Sequence, residues 1–204
     1  MFGMNLKLFF ERVKRQVNPP NIPKNTTGEV CIHLGCGAVN APGFINVDAL
    51  PYSHVHYVHG LDDLDMFPNS YANLIYACHV LEHFSHRAVA KVLNEWKRVL
   101  QDGGILRISV PDFDKIVGIY LSESKDIKTI LMPLMGGQGY SYNFHKNAFN
   151  EKHLKELLLT VGFREVRLWN PEEVDMHSFE DWASRSLEFD GKKYPISLNI
   201  EAVK

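Results

Sequence analysis

The chain has 204 residues, 45% of them hydrophobic and 23% charged, a composition that suits one globular domain. Its formal net charge of −2 gives no excess of Lys and Arg of the kind that binds a phosphate backbone, so we expect no nucleic-acid partner. The longest apolar run is far shorter than the ~20 residues that span a bilayer, and we expect no stable insertion into a membrane.

The cysteines Cys31, Cys36 and Cys78 are odd in number and form no C-x-x-C motif. This usage favours a reduced, cytoplasmic compartment over a disulfide-bonded extracellular one. The sequence does not decide the oligomeric state, and a homodimer is one alternative.

The N-terminal segment Met1–Val17 alternates hydrophobic and basic residues at helical spacing, and several prolines follow it. We therefore predict an N-terminal amphipathic helix and linker over 1–25 and a single domain over 26–204. The helix fits either docking against the domain or lying on a membrane surface, and the sequence leaves both interpretations open.

Strands alternate with helices in the rest of the chain. One helix is predicted to begin near Ser85 and to end at Gly103–Gly104, and a second is capped by Asn150 and followed by Gly162. This order predicts an α/β fold, with a mostly parallel, doubly wound sheet, helices on both faces and ligands at the carboxyl ends of the strands. The predicted strands are 30–34, 44–47, 54–59, 71–78, 105–110, 163–169 and 196–203.

The most informative motif is a Gly-x-Gly turn, Gly35 and Gly37, that follows the first predicted strand. Glycines at a strand end allow backbone N–H groups to approach a ligand closely, because no Cβ stands in the way. Asp48 ends the neighbouring strand, where a carboxylate can accept both hydroxyls of a ribose. The combination points to a cofactor that contains a nucleoside.

The link between Gly37 and Asp48 limits the choice of cofactor. It has only ten residues, including Pro42 and Gly43, which is too short for the crossover helix that carries a pyrophosphate in dinucleotide folds. A phosphate-free nucleoside therefore fits better than NAD or FAD. S-adenosylmethionine has a ribose, an adenine and an amino-acid tail without any phosphate, and it is the cofactor that we expect.

Several segments resemble the class I S-adenosylmethionine-dependent methyltransferases, in particular the methyltransferase type 11 group. The resemblance runs from about Val30 to Lys204, and with Asp48 it is carried by HLGCG (33–37), FPNSYANLIY (67–76), HVLEHF (79–84) and WKRVLQDGGIL (96–106). The short link before Asp48 and NFHKNAF (143–149) resemble predicted methyltransferases associated with bacterial polysaccharide genes.

The resemblance implies a Rossmann-like seven-stranded sheet whose last strand is antiparallel. It also implies methyl transfer to a small-molecule or saccharide acceptor, by direct displacement at the sulfonium methyl. Two alternatives stay open at this point: a non-catalytic module of the same fold that binds the cofactor, and a nucleotide-dependent oxidoreductase.

The predicted cofactor-binding residues come from the glycine turn, from the tip of the second strand and from the loops after the third and fourth strands. His33 stands where the family often has Glu or Asp, and a glycine, Gly60, stands where an acidic residue often precedes the adenine loop. The set is His33, Gly35, Cys36, Gly37, Asp48, Leu61, Asp62, Asp63 and His79.

The candidate catalytic residues are His79 and Asp112, which follow the fourth and fifth strands, and Tyr142 and His145. The last two belong to a glycine-rich, aromatic loop, 136–145, that we expect to be a mobile lid over the acceptor. The sequence does not decide which group accepts the acceptor's proton.

No metal site is predicted. His79, Glu82 and His83 do not follow the H-E-x-x-H order, and Glu82 and His83 are expected to begin the next helix. The pair His54 and His56 can face one side of a strand, but no third ligand lies in register with it.

Overall fold

The computed structural model describes residues 6–18, 20–23, 25, 27–123 and 125–204. Seven strands form one sheet in the order β3-β2-β1-β4-β5-β9-β6. Only β9 runs antiparallel to its neighbours, so the predicted sheet is confirmed. The strands are β1 Cys31–Leu34, β2 Phe44–Asp48, β3 Tyr57–Val58, β4 Ala72–Cys78, β5 Leu100–Pro111, β6 Glu165–Leu168 and β9 Ser197–Val203, and a separate hairpin is formed by β7 Ser186–Phe189 and β8 Lys192–Pro195.

Five helices are described: α1 Leu6–Val17, α2 Val89–Val99, α3 Phe113–Ser122, α4 Leu131–Met135 and α5 Glu151–Val161. Short 3₁₀ turns cover Leu81–His83 and Ile127–Thr129. None of the helices in this described part of the chain is long and apolar enough to cross a membrane.

The order of the strands places the ends of β1 and β4 side by side. Leu34 of β1 pairs with Val47 of β2 on one side and with Ala77 of β4 on the other. The chain leaves β1 towards β2 and returns to β4 on the opposite side, so the loops after β1 and β4 meet at the switch point of the sheet, where open α/β folds bind ligands.

The main core lies between one face of the sheet and the helices α2 and α5. Trp96, which projects from α2, is fully buried, and its indole Nε1 donates a hydrogen bond to the carbonyl oxygen of Leu61 at 2.7 Å. The helix α2 therefore fixes the loop after β3 as well as covering the sheet. The residues buried on α2 and α5 are Val89, Val92, Leu93, Trp96, Val99, Leu154 and Leu158.

The second core lies on the opposite face, and residues of the non-helical segment 170–185 form much of it. The link between β1 and β2 contains no helix, so an extended segment packs where a crossover helix would lie. Gly43 of the link lies against this segment, because a Cβ at position 43 would be 3.4 Å from Cε of Met176. The sequence predicted helices on both faces of the sheet, but it did not predict that the non-helical segment 170–185 would cover part of this face.

The N-terminal helix α1 lies inside the segment predicted to be helical. The guanidinium of Arg15 donates hydrogen bonds to the carbonyl oxygens of Val55 and Tyr52, the latter at 3.3 Å, so α1 contacts the chain before β3. Residues 1–5 lie outside the described residues, and the division at residue 25 stays a prediction.

Three local predictions were wrong. Ser85 does not cap α2, which begins at Val89 after Ala88, and the helix ends at Val99, before Gly103. Glu82 and His83 form a separate 3₁₀ turn and do not begin α2.

The hairpin of β7 and β8 was not predicted, although its turn, Asp190 and Gly191, has the positive φ angles of 47° and 75° that Asp-Gly favours.

The cap of α5 is confirmed. The side chain of Asn150 accepts a hydrogen bond from the backbone N–H of His153 at 3.0 Å. Gly162 follows the helix in the left-handed conformation with φ 93°.

We expect Gly35→Ala to destabilise the protein more than Gly37→Ala. Both glycines have positive φ, which costs about 1–2 kcal/mol for alanine. A Cβ at Gly35 would also lie 2.3 Å from Val80 Cγ2, whereas a Cβ at Gly37 would meet no atom within 4 Å. Overpacking adds about 1–3 kcal/mol for Gly35→Ala only. Urea unfolding measures both variants.

The control is Gly35→Ala in a Val80→Ala background, where the colliding methyl group is absent. The cost of Gly35→Ala should then fall to about that of Gly37→Ala. An equal cost in both backgrounds would show that contact with Val80 does not require glycine at position 35.

Candidate functional site

Two adjoining cavities open at the carboxyl ends of β1 and β4, and both are lined by Gly35, Gly37, His79, His83 and Tyr140. We call the first the Asp48 cavity. It has a volume of about 380 Å³ and is also lined by Asp48, Tyr52, Leu61, Asp62, Tyr142 and Lys146. We call the second the Trp182 cavity. It has a volume of about 400 Å³ and is also lined by His33, Asn143, His145, Asp181, Trp182 and Arg185.

The carboxylate of Asp48 ties the glycine turn to the end of β2. Its Oδ2 accepts a hydrogen bond from the backbone N–H of Gly37 at 2.7 Å, and its Oδ1 accepts one from Leu50 at 2.7 Å. Burial raises the pKa of Asp48, and the two backbone hydrogen bonds oppose that shift. Each carboxylate oxygen keeps a further lone pair for a ligand.

The glycine turn leaves room for a ligand on the side of Gly37, where a Cβ would meet no protein atom within 4 Å. Leu61 and Asp62 line the Asp48 cavity, and they lie in the loop that is hydrogen-bonded to Trp96. Asp63 is exposed and is not among the lining residues, because the loop has turned outward at that position. The buried carboxylate and the open space fit the ribose and adenine of S-adenosylmethionine.

The ring of His33 lies on the floor of the Trp182 cavity, with only 2% of the residue exposed. It packs among Phe44, Tyr76 and Phe179, with ring centroids 5.0–6.0 Å away. Its Nδ1 has no hydrogen-bond partner among the described residues. Burial, followed by the charges of His177 and His54, lowers the pKa of His33 to about 3, so the imidazole is neutral at pH 7.

Cys36 contributes its backbone to the cavity. Its side chain is buried with Val55 and Val58, and Sγ lies 3.8 Å from His54 Nε2. Burial raises the pKa of the Cys36 thiol, which therefore stays protonated at neutral pH.

His79 stands at the junction of the two cavities with a positive φ of 52°. Its Nε2 lies 2.8 Å from the Ser197 hydroxyl, and that hydroxyl itself donates to the carbonyl oxygen of Trp182 at 2.6 Å. Because serine has one hydrogen to donate, Nε2 of His79 must be the donor in this pair. The other nitrogen, Nδ1, is then an acceptor, and it lies 3.5 Å from Glu82 Oε1.

Glu82 is the group that the sequence-based prediction missed. Its side chain is 1% exposed, neither carboxylate oxygen has a hydrogen-bond partner among the described residues, and burial raises its pKa to about 8. His145 Nε2 lies 3.9 Å from Oε1 of Glu82, and ligand atoms of Glu82, His83 and His145 lie within 4.8 Å of one another. The motif HVLEHF holds two of these residues, but no sequence pattern connects them to His145.

Burial lowers the pKa of the histidines around Glu82. The pKa of His79 falls to about 3, with further contributions from the charges of His145 and His83. The pKa of His145 falls to about 4, although hydrogen bonding to the backbone of Leu134 and Pro133 acts in the opposite direction.

The loop 136–145 closes on itself through backbone hydrogen bonds. Gln138 N–H donates to the carbonyl oxygen of Asn143 at 2.9 Å, and Asn143 N–H donates to Tyr140 at 2.9 Å. The loop contributes Tyr142 to the Asp48 cavity and His145 to the Trp182 cavity, so the two predicted acceptor-side residues are separated. Its mobility stays a prediction.

Asp112 does not reach either cavity. Its carboxylate accepts a hydrogen bond from the backbone N–H of Asp114 at 3.1 Å and caps α3, and Lys115 Nζ lies 3.8 Å away. The structure gives this residue a local partner and does not bring it to the other predicted site residues.

Segment 170–185 supplies one wall of the Trp182 cavity. Asp181 is 5% exposed and fixes this wall, because its carboxylate accepts hydrogen bonds from Tyr76 Oη at 2.5 Å and from Ala183 N–H at 2.8 Å. Trp182 and Arg185 then face the cavity. The segment has no helical or strand periodicity, so no pattern in the sequence could predict that these residues line the cavity.

Residues 33–108, which include the end of β1, Asp48, His79 and Glu82, match the family model described as a methyltransferase domain. No curated protein matches the chain. Solved structures share its fold at low identity. A SAM-dependent methyltransferase from Archaeoglobus fulgidus is 15% identical, with 98% of this chain and 95% of that chain covered and a TM-score of 0.54.

Two further structures share the fold. A SAM-dependent methyltransferase from Thermotoga maritima is 13% identical, with 97% of this chain and 89% of that chain covered and a TM-score of 0.51. The YcgJ protein from Bacillus subtilis is 14% identical, with 95% of this chain and 97% of that chain covered and a TM-score of 0.50.

We expect His33→Phe to make folding less sensitive to acid. The folded-state pKa of about 3 lies below the ordinary 6.5, so the unfolded chain takes up a proton between these pH values and the folded chain does not. The contribution of the neutral His33 to the free energy of unfolding is therefore fully present above about pH 6.5, and it is lost as the pH is lowered towards 3. The slope should decrease by up to about 1.4 kcal/mol per pH unit when His33 is replaced.

Urea unfolding at a series of pH values gives this slope. The control is His86→Gln, which removes an exposed histidine. Equal slopes for the wild type and His33→Phe would contradict the expectation.

Proposed function

We propose that this chain, which belongs to the class I S-adenosylmethionine-dependent methyltransferases, methylates a hydroxyl group on a polar ring such as that of a saccharide. Its cofactor is S-adenosylmethionine. One observation carries the proposal for the acceptor. The Asp48 and Trp182 cavities meet at Gly35, Gly37 and His79, so a donor in the first faces an acceptor in the second.

The Asp48 cavity is the proposed site of the nucleoside. Asp48 accepts hydrogen bonds from the two ribose hydroxyls through the lone pairs that Gly37 and Leu50 leave free. The loop of Leu61 and Asp62 reads the adenine edge, and Tyr142 covers this side.

The proposed site of the methionine part lies along Gly35 and Gly37 towards His33. His33 lies at the floor of this region, and a neutral imidazole can accept a hydrogen bond from an ammonium group. A histidine here can therefore replace the carboxylate that resembling sequences often have, without placing a second negative charge in an aromatic core.

When bound, the cofactor supplies a methyl group on a positively charged sulfur. The acceptor oxygen forms a bond to this methyl group and loses its proton, and the electron pair of the broken C–S bond stays on sulfur. The protein mainly has to align the two groups and receive the proton. His145 and His83 line the Trp182 cavity and border Glu82, so we place the acceptor hydroxyl beside this cluster. Asp112 has no part in the proposal, because it caps α3.

The lining of the Trp182 cavity supports a saccharide acceptor. The ring of Trp182, with its centroid 5.8 Å from that of His79, offers an aromatic face to the C–H face of a sugar. The amide of Asn143 and the guanidinium of Arg185 offer hydrogen bonds to ring hydroxyls.

We expect Asp48→Asn to weaken binding of S-adenosylmethionine about 10- to 100-fold, the range for a lost charged hydrogen bond. The substitution keeps the size of the side chain and one acceptor oxygen, so the contact with Gly37 can persist. Isothermal titration with S-adenosylmethionine and S-adenosylhomocysteine measures the change.

Asp63→Asn is the matched control, since Asp63 is exposed and does not line the Asp48 cavity. It should bind the cofactor like the wild type. An unchanged affinity in Asp48→Asn would remove Asp48 from the cofactor site.

We expect Trp182→Ala to raise the KM for the acceptor about tenfold and to leave the Kd for S-adenosylmethionine unchanged, because the stacking surface is lost only in the Trp182 cavity. Tyr142→Ala should raise the Kd for S-adenosylmethionine and leave the KM for the acceptor unchanged, since Tyr142 lines the Asp48 cavity. The assay follows methyl transfer from radiolabelled cofactor to a panel of monosaccharides, uronic acids and nucleotide sugars. Transfer to amines or thiols in preference to these hydroxyl compounds would contradict the proposed acceptor class.

A further inference from the structure

The cluster around Glu82 has the composition and geometry of a metal site. Glu82, His83 and His145 each offer one ligand atom, and these atoms all lie within 4.8 Å of one another. His79 adds a fourth group, with Nδ1 3.5 Å from Glu82 Oε1. The four residues come from the loop after β4, its 3₁₀ turn and the end of loop 136–145.

The carboxylate of Glu82 has no partner that satisfies it. Its side chain is 1% exposed, and neither oxygen accepts a hydrogen bond within the described part of the chain. A buried polar group without a partner is costly, and a buried carboxylate more so. The nearest atoms are ring nitrogens of His79 and His145, and His79 Nδ1 is itself an acceptor because Nε2–H donates to Ser197. Two acceptors that face each other require a cation or a proton between them.

The histidine rings are held from outside the cluster. His79 donates from Nε2 to Ser197 at 2.8 Å, and His83 Nδ1 lies 3.1 Å from the carbonyl oxygen of Phe144. Histidines that bind metals characteristically use one nitrogen in this way, which fixes the ring and leaves the other nitrogen for the metal.

We propose that Glu82, His83 and His145 bind a divalent first-row transition-metal ion as three protein ligands, with His79 next to Glu82. Two imidazoles and a carboxylate suit Zn²⁺, Co²⁺ and Fe²⁺ better than Mg²⁺ or Ca²⁺, which prefer oxygen ligands. Donors around a tetrahedral ion at ~2.1 Å lie roughly 3.4 Å apart, so the cluster closes on the ion by about 1 Å of side-chain movement.

The ion would lie at the edge of the Trp182 cavity, because His83 and His145 line it. An acceptor hydroxyl could occupy an open coordination position there, and the positive charge would favour its deprotonated form. This consequence rests on the proposed methyl transfer, whereas binding of the ion does not.

The test is titration of the full chain, treated with a chelator and dialysed, with Zn²⁺ in the calorimeter and with Co²⁺ followed by its visible absorption. We expect one equivalent to bind. Glu82→Gln and His145→Asn should weaken binding by about a hundredfold or more, since each removes a ligand. His54→Asn is the control, because Cys36 Sγ and His54 Nε2, 3.8 Å apart, are another pair that could hold Zn²⁺.

A shift in melting temperature with S-adenosylhomocysteine checks that each variant retains its fold. If Glu82→Gln does not fold, His83→Gln, on the partly exposed 3₁₀ turn, gives the same comparison. Absence of saturable binding, equal affinity in the ligand variants, or loss of binding in His54→Asn alone would overturn the proposal. The titration contains neither cofactor nor acceptor, so failure of methyl transfer and failure of metal binding are read separately.

Discussion

The hydrogen bond from the backbone N–H of Gly37 to the carboxylate of Asp48 joins the tips of β1 and β2, and the arrangement of the site depends on it. It spans a link of ten residues that has no room for a crossover helix. With the second carboxylate oxygen on Leu50, the bond fixes both the glycine turn and the start of the loop after β2. One buried side chain thus sets the shape of the Asp48 cavity before any ligand is bound.

The short link has a consequence on the far face of the sheet. Segment 170–185 packs over Phe44 and Tyr76, where a crossover helix would otherwise lie, and Tyr76 fixes the segment through its hydrogen bond to Asp181. The residue after Asp181 is Trp182, which faces the cavity beside His79. The short link between β1 and β2 therefore also brings an aromatic wall to the Trp182 cavity.

The sequence was most informative where local patterns decide the structure. Apolar runs predicted all seven strands of the main sheet, and Asn150 and Gly162 marked the ends of α5, because strands and caps depend on near neighbours in the chain. Contacts between distant segments were not predictable in the same way. Glu82 meets His145 only because α4 and loop 136–145 return to the end of β4, and segment 170–185 shows no periodicity that could have placed Trp182.

The chain that follows each strand decides which of the predicted polar residues reach the site. Asp48 is the last residue of β2 and lies beside the glycine turn. Asp112 follows β5, which continues directly into α3, so the carboxylate of Asp112 caps that helix. A polar residue at the end of a strand reaches the site only if the chain beyond it does not provide a nearer partner. Glu82 is the opposite case, since its carboxylate has no hydrogen-bond partner among the described residues and lies next to His79, His83 and His145. The unsatisfied carboxylate of Glu82, and not the best-matched motif, therefore marks a part of this site at which a cation would be stabilised.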